Sequence, residues 1–245
     1  MKKKFLKPVF CALIILILAV GVVAARYAYR FYNGMTGIHY YSKLEGEQMK
    51  IACVGDSITY GYGVSNWPKN NYPKVLNGLL GEDYHVANFG VSGSCVNLQG
   101  DLPYNSTKEY EESLEYQPDI LIFMLGTNDS REGNWIDEGY FMTAYNELLD
   151  AYLQGEALPK VYLCTCAKAF DKEDEIVELA AYGICPEQVE VINDCIRTIA
   201  TERGYELIEM EELTAAHPEW FEWDGIHPDT AGTKEMAKLI AETIK

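Results

Sequence analysis

Short runs of apolar residues alternate along this chain with longer stretches in which apolar residues recur at helical spacing. The apolar runs predict five buried strands, at 51–54, 85–89, 119–124, 161–165 and 205–209. The amphipathic stretches predict helices at 72–81, 106–116, 138–153, 187–203 and 230–244. Alternation of this kind is typical of a parallel sheet with helices on both faces. The expected fold is therefore an α/β, three-layer α/β/α sandwich around a five-stranded parallel sheet.

The N-terminal segment has a different pattern. Residues 8–25 form an uncharged run of 18 residues, preceded by four lysines at 2, 3, 4 and 7. This length is at the short end of what crosses a bilayer, and the lysines favour a cytoplasmic N-terminus. We expect a retained N-terminal transmembrane helix, with a cleaved signal peptide as the alternative. The predicted organisation is an anchor or signal at 1–30, a linker at 31–48 and one folded domain at 49–245, which lies outside the cytoplasm in either case.

Composition and charge narrow the possible partners. The chain has 245 residues, of which 48% are hydrophobic and 23% charged, which excludes a disordered or low-complexity protein. Beyond residue 30, fourteen basic residues face 37 acidic ones. Nucleic-acid binding draws most of its affinity from basic patches, so no nucleic-acid partner is expected. No protein partner is indicated either.

The seven cysteines do not suggest a metal site or a disulfide scaffold. Cys53, Cys164 and Cys166 fall in apolar, strand-like runs, where a cysteine usually acts as a small buried hydrophobe. Cys185 and Cys195 are ten residues apart, and the sequence leaves open whether they pair. Since no metal-ligand motif, P-loop or dinucleotide fingerprint is present, we expect neither a metal nor a cofactor.

Polar residues and glycines follow the predicted strands, where function in a parallel sheet is concentrated. Gly-Asp-Ser at 55–57 follows the first strand, Gly-Val-Ser-Gly at 90–93 the second and Gly-Thr-Asn-Asp at 126–129 the third. Asp-Gly-Ile-His-Pro at 224–228 precedes the last helix. Together these blocks supply a serine, backbone N–H groups, an amide and an Asp–His pair. Those are the parts of a nucleophilic acyl-transfer site.

These four blocks, in this order, resemble those of the SGNH hydrolases, also called GDSL esterases and lipases, over residues 50–244. The resemblance implies a flavodoxin-like fold and no cofactor. It further implies that Ser57 is the nucleophile and that Asp224 and His227 complete a catalytic triad. By the same resemblance Gly90 and Asn128, with the Ser57 N–H, form the oxyanion hole.

The chemistry of the residues agrees with these assignments. A serine hydroxyl needs a base, and histidine is the best base near neutral pH. Of the four histidines, His39 lies in the linker and His85 at the wrong end of its strand, which leaves His217 as the rival of His227. His227 has Asp224 three residues earlier, close enough on a turn to orient its ring. We interpret Asp56 and Asp129 as structural acids that hold loops.

The loops after the strands indicate the substrate. Residues 60–71, 94–108 and 129–139 are rich in hydrogen-bonding side chains with isolated aromatics, which suits a hydroxylated alcohol better than a long acyl chain. Trp220, Phe221 and Trp223 could either stack on a sugar ring or pack as a wall. The expected function is hydrolysis of short-chain esters, with acetyl as the expected acyl group, on a carbohydrate or small molecule. The alternatives are a lipase, lysophospholipase or thioesterase, an acyltransferase, and a non-catalytic glycan-binding protein.

Overall fold

The sheet places the ends of five parallel strands along one edge. The computed structural model describes residues 20–22, 39–40, 44, 46–155, 157–170 and 181–245. Within them the strands form one sheet in the order β1-β3-β2-β4-β5-β6. The strands are β1 His39–Tyr40, β2 Met49–Gly55, β3 Tyr84–Gly90, β4 Ile120–Met124, β5 Lys160–Cys164 and β6 Glu206–Ile208.

The five predicted strands are present, and β2 to β6 pair in parallel as predicted. The sheet has one further strand that the sequence did not indicate. β1 pairs antiparallel with β3, with His39 opposite Asn88, inside the stretch predicted as a linker. β1 has only two residues and lies at the edge of the sheet, so its sequence contains no apolar run that would predict a strand.

The helices agree with the predicted ones to within two residues at each end, and three short helices are added. The helices are α1 Ser57–Tyr60, α2 Trp67–Asn70, α3 Tyr72–Leu80, α4 Lys108–Glu115, α5 Glu138–Tyr152, α6 Pro186–Arg203, α7 Met210–Ala215 and α8 Thr230–Ile244. The added helices α1, α2 and α7 have four to six residues, too few for a 3.6-residue period to show. Gly204 ends α6 in the left-handed conformation, as a glycine does at many helix C-termini.

Apolar side chains cover both faces of the sheet and make two cores. On one face Leu121 and Phe123 of β4 belong to the same cluster as Tyr145 of α5 and Ile196 of α6. On the other face Ile122 of β4 belongs to a cluster that includes residues of α3 and α8. Successive residues of a strand point to opposite faces, so an uninterrupted apolar strand serves both cores. The three-layer α/β/α sandwich is confirmed.

The predicted membrane segment, 8–25, lies outside the described residues except for a helical stretch at 20–22. Within the described part of the chain, no helix is both long enough and apolar enough to cross a membrane. The cysteines in that part, including Cys185 and Cys195, are free thiols.

Candidate active site

Ser57 is the first residue of α1, immediately after the turn that ends β2. A Cβ on Gly55 would lie 2.6 Å from the carbonyl oxygen of Met124, so the turn can be this tight only with glycine. Asp56 caps the helix by accepting a hydrogen bond of 2.9 Å from the N–H of Ile58. The local sequence thus presents the Ser57 hydroxyl at the carboxyl edge of the sheet, as predicted.

The turn before α8 brings His227 to Ser57. His227 Nε2 lies 2.9 Å from Ser57 Oγ, and His227 Nδ1 lies 2.7 Å from Asp224 Oδ2. The other oxygen of Asp224 accepts hydrogen bonds of 2.9 Å from the N–H groups of Ile226 and His227. With its proton on Nδ1, the imidazole can accept the proton of the Ser57 hydroxyl on Nε2. The residues predicted as a triad are therefore joined by hydrogen bonds.

The environment keeps Asp224 ionised. Burial alone would raise the pKa of its carboxyl, but the hydrogen bonds and positive charge of His227 and the N–H of Ile226 hold that pKa below its usual value. Asp224 and His227 are each 5% exposed, so their interaction is little screened by water. An ionised Asp224 can stabilise positive charge on the imidazole.

Asn128 lies in the 3₁₀ turn Thr127–Ser130, which follows β4. Its Nδ2 donates a hydrogen bond of 2.9 Å to the carbonyl oxygen of Ser94. A carboxamide nitrogen carries two hydrogens, so one N–H is left for a ligand. Asn128 lines the same pocket as Ser57 and His227, where the sequence predicted it.

Gly90 does not face this pocket, and its prediction as an oxyanion-hole residue is wrong on geometry. Gly90 is the last residue of β3, and its N–H donates a hydrogen bond of 2.9 Å to Asn88 Oδ1. Gly93, three residues later, does line the pocket, with φ +86°. In the described part of the chain neither the Ser57 N–H nor the Gly93 N–H has an acceptor. Within the 90–93 block it is therefore Gly93, and not Gly90, that lies at the pocket.

Close packing explains why position 90 is glycine. A Cβ there would lie 2.3 Å from the backbone nitrogen of Tyr60, which is part of α1 and cannot rotate away. We expect Gly90→Ala to lower the free energy of unfolding by about 1–3 kcal/mol because the helix that carries Ser57 must shift. Urea denaturation followed by circular dichroism measures this loss.

Gly78→Ala is the matched control for Gly90→Ala. Gly78 lies on the exposed side of α3, where a Cβ meets no atom within 4 Å. Alanine at this helical position should stabilise the protein by about 0.4–1 kcal/mol. Equal stability of the wild type and Gly90→Ala would show that α1 does not press on β3.

Asp56 caps α1 and Asp129 holds a loop, which agrees with their interpretation as structural acids. The carboxylate of Asp129 accepts hydrogen bonds of 2.9 Å and 2.8 Å from the N–H groups of Val96 and Asn97, which ties the loop after β3 to the turn after β4. Burial raises the pKa of Asp56 to about 6. Burial, aided by the charge of Asp56, raises the pKa of Asp129 to about 7.

The pocket above Ser57 is small, with a cavity volume of about 240 Å³. Its walls include two tyrosines that flank the imidazole, since the ring centroid of Tyr62 lies 4.6 Å and that of Tyr182 lies 5.6 Å from that of His227. Its remaining lining residues, besides those placed above, are Ser92, Thr127, Arg131, Ile184 and Ile226. Four of the residues that line the pocket belong to no recognisable motif and were not predicted: Tyr62, Arg131, Tyr182 and Ile184.

The other predicted candidates lie outside this pocket. His217 stacks on Trp220, with 3.7 Å between ring centroids, and its Nδ1 lies 2.8 Å from Glu219 Oε1. Phe221 is buried in the core on the α3–α8 face, whereas Trp223 is 68% exposed. Trp220 and Phe221 are therefore packing residues, and Trp223 alone of the three presents a free ring.

Comparison with known proteins agrees with this arrangement. Residues 53–234 match the model of the GDSL-like Lipase/Acylhydrolase family, so the chain belongs to that family of ester hydrolases. An acetylxylan esterase from Xylanibacter ruminicola is 32% identical over 217 residues, which cover 81% of this chain and 44% of that protein. The match thus spans less than half the length of this relative.

Solved structures share the fold. Est24, a carbohydrate acetylesterase from Sinorhizobium meliloti, superposes with a TM-score of 0.65 at 19% identity, covering 80% of this chain and 98% of its own. The native aryl esterase of M. smegmatis gives a TM-score of 0.65, 19% identity and the same coverage. At these identities the similarity establishes the architecture and leaves the substrate open.

Proposed function

We propose that this protein is a serine esterase that removes acetyl groups from an acetylated carbohydrate or a small ester. The observation that carries the proposal is the hydrogen-bonded chain from Ser57 through His227 to Asp224, set in a small pocket beside unpaired N–H donors. The acetylxylan esterase homologue supports acetyl as the acyl group and a carbohydrate as the alcohol. No metal or cofactor is needed for this chemistry.

The proposed reaction has two halves. Ser57 Oγ attacks the ester carbonyl carbon while its proton passes to His227 Nε2, and Asp224 stabilises the resulting imidazolium. The oxyanion accepts hydrogen bonds from the N–H groups of Ser57 and Gly93 and from Asn128 Nδ2. His227 then returns the proton to the leaving alcohol, which gives an acyl-enzyme. In the second half, water attacks that ester with His227 again as base, and acetate leaves.

The size of the pocket supports a short acyl group. Its volume of about 240 Å³ is below the roughly 300–1,000 Å³ that is usual for ligand pockets, and it must hold parts of both the acyl and the alcohol groups. A long acyl chain gains about 0.8 kcal/mol per methylene only where an apolar wall receives it. Ile184 and Ile226 are the two aliphatic side chains among the residues that line the pocket.

We expect kcat/KM for p-nitrophenyl esters to be highest for acetyl, lower for butyryl and far lower for octanoyl and palmitoyl. The Ser57→Ala variant provides the background rate for each ester. Release of acetate from acetylated xylan, compared with acetylated glucose, tests the alcohol. A steady rise of kcat/KM from acetyl to octanoyl would overturn the acetyl assignment in favour of the lipase or thioesterase alternative.

We also propose that residues 8–25 anchor the protein in the cell membrane with the catalytic domain outside the cytoplasm. The proposal rests on the sequence: an uncharged run of 18 residues behind four lysines. Secretion after signal cleavage remains the alternative, and both place the domain on the same side.

Protease treatment of intact cells that express the full chain should remove the catalytic domain from the cell surface. The lysines favour retention of the N-terminus in the cytoplasm, so the domain is exported. A domain cut only after lysis would contradict this topology. The N-terminal sequence of the recovered protein distinguishes a retained anchor from a cleaved signal.

A further inference from the structure

We propose that Arg131 is a positioning residue that holds the Asn128 carboxamide with its nitrogen toward the oxyanion. This inference rests on the proposed function, because it concerns the oxyanion hole of that reaction. Arg131 directly follows the turn that carries Asn128, and its Nη2 donates a hydrogen bond of 2.8 Å to Asn128 Oδ1.

The orientation of Asn128 decides whether it helps or hinders the reaction. The two ends of a carboxamide have nearly the same shape, but the nitrogen donates hydrogen bonds and the oxygen accepts them. With the nitrogen toward the pocket, Asn128 stabilises a negative oxygen. With the oxygen there, it would repel the oxyanion. Asn128 is only 4% exposed, but burial by itself does not distinguish the two orientations, because both fill the same space.

Two neighbours of opposite hydrogen-bonding character make the selection. The carbonyl oxygen of Ser94 can only accept a hydrogen bond and receives one from Asn128 Nδ2, whereas the Arg131 guanidinium can only donate and contacts Asn128 Oδ1. A flipped amide would place oxygen against oxygen and nitrogen against guanidinium. Both contacts would become repulsive, so the flip is strongly disfavoured.

The charge of Arg131 adds a second effect. A hydrogen bond from a guanidinium to an amide oxygen draws electron density from the amide nitrogen and strengthens its remaining N–H as a donor. The site is buried, so this polarisation is little weakened by water. By this inference Arg131, which also lines the pocket, acts on the reaction through Asn128.

Ion pairing does not account for the placement of Arg131. Its side chain is 23% exposed, and the carboxylate that it pairs with in the described part of the chain, Asp101, is 66% exposed and 3.7 Å away. The buried Nε has no hydrogen-bond partner among the described residues. A partly buried guanidinium with so weak an ion pair gains little stability for the fold, so its position is better explained by the contact with Asn128.

The test is a double-mutant cycle on p-nitrophenyl acetate with Arg131→Met and Asn128→Ala. We expect Asn128→Ala to lower kcat by about 10²–10³-fold with little change in KM, because an oxyanion donor acts in the transition state. Arg131→Met should lower kcat by about 10–100-fold, again with KM nearly unchanged. The double variant should be no slower than Asn128→Ala alone, because the inference has Arg131 act through Asn128, whereas a direct effect of the pocket-lining guanidinium on the oxyanion would make the losses multiply.

Arg203→Met is the matched control. Its guanidinium donates a hydrogen bond of 2.9 Å to Asn146 Oδ1 and is 25% exposed, so the contact and the burial resemble those of Arg131, but the pair joins α5 and α6 away from the pocket. We expect its kcat to equal that of the wild type. Arg131→Lys, which keeps the charge, should recover part of the kcat lost in Arg131→Met.

Three results would overturn the inference: multiplicative losses in the double variant, a rise in KM with kcat unchanged, or an Arg131→Met enzyme as fast as the wild type. The rate of fluorophosphonate labelling at Ser57 gives a second readout, because the phosphoryl oxygen enters the same oxyanion hole. This rate should fall in Arg131→Met even if acetyl is not the natural acyl group. A wild type that neither hydrolyses the ester nor takes the label would refute the proposed function itself, and the inference with it.

Discussion

Ser57→Ala should lower kcat for p-nitrophenyl acetate by about 10⁴–10⁶-fold while leaving the fold intact. Among the described residues the Ser57 hydroxyl is the nucleophile held 2.9 Å from His227 Nε2, and alanine at the first residue of α1 removes it without disturbing the Asp56 cap. Steady-state kinetics measure the loss, and the thermal unfolding midpoint shows that the variant is folded. A fluorophosphonate probe should label the wild type once, at Ser57, and should not label the variant.

Ser92→Ala is the control for this labelling. Ser92 lines the same pocket, but its hydroxyl has no hydrogen-bond partner among the described residues and hence no base beside it. We expect this variant to keep the label at Ser57. Undiminished labelling of Ser57→Ala, or a labelled peptide that contains Ser92, would assign the nucleophile elsewhere.

His227→Ala should lower kcat by about 10⁴-fold or more, because without a base the Ser57 proton has no acceptor in the pocket. Asp224→Asn should also be severe, since an amide cannot stabilise the imidazolium by charge. Steady-state kinetics on p-nitrophenyl acetate measure both losses.

His217→Ala tests whether His217, the other candidate, acts as the catalytic base. His217 is 39% exposed and engaged with Trp220 and Glu219, away from Ser57. We expect it to retain nearly full kcat. A large loss in His217→Ala together with a mild one in His227→Ala would move the catalytic base.

Most of the architecture could be predicted from the sequence because it depends on local patterns. β4 is apolar throughout, as a strand must be when helices cover both of its faces, and α6 ends at a glycine that adopts the left-handed conformation. β1 and α1 could not be predicted in this way, since two and four residues are too few to show a period.

The chemistry of the site was predictable for a related reason. In a parallel sheet the residues after each strand meet at one edge, so blocks far apart in the chain could be assigned to one site from the sequence. Ser57, Asp224 and His227 are hydrogen-bonded as that reasoning requires, and Asn128 lies beside them. Their spacing within each block sets their local geometry.

The amino-acid sequence by itself determined the sandwich, the alternation of its five parallel strands and five long helices along the chain, and the residue types gathered at the carboxyl edge. The tertiary structure alone decided which glycine faces the pocket. The N–H of Gly90 is hydrogen-bonded to Asn88 and its Cα packs against α1, while Gly93 lines the pocket with Ser57. It also decided that Arg131 orients Asn128 and that Tyr62 and Tyr182 flank His227. The packing of Gly90 against α1 and of Tyr62 and Tyr182 against His227 joins segments distant in the chain, and the bond from Arg131 to Asn128, although local, belongs to no recognisable motif; no local period encodes these contacts.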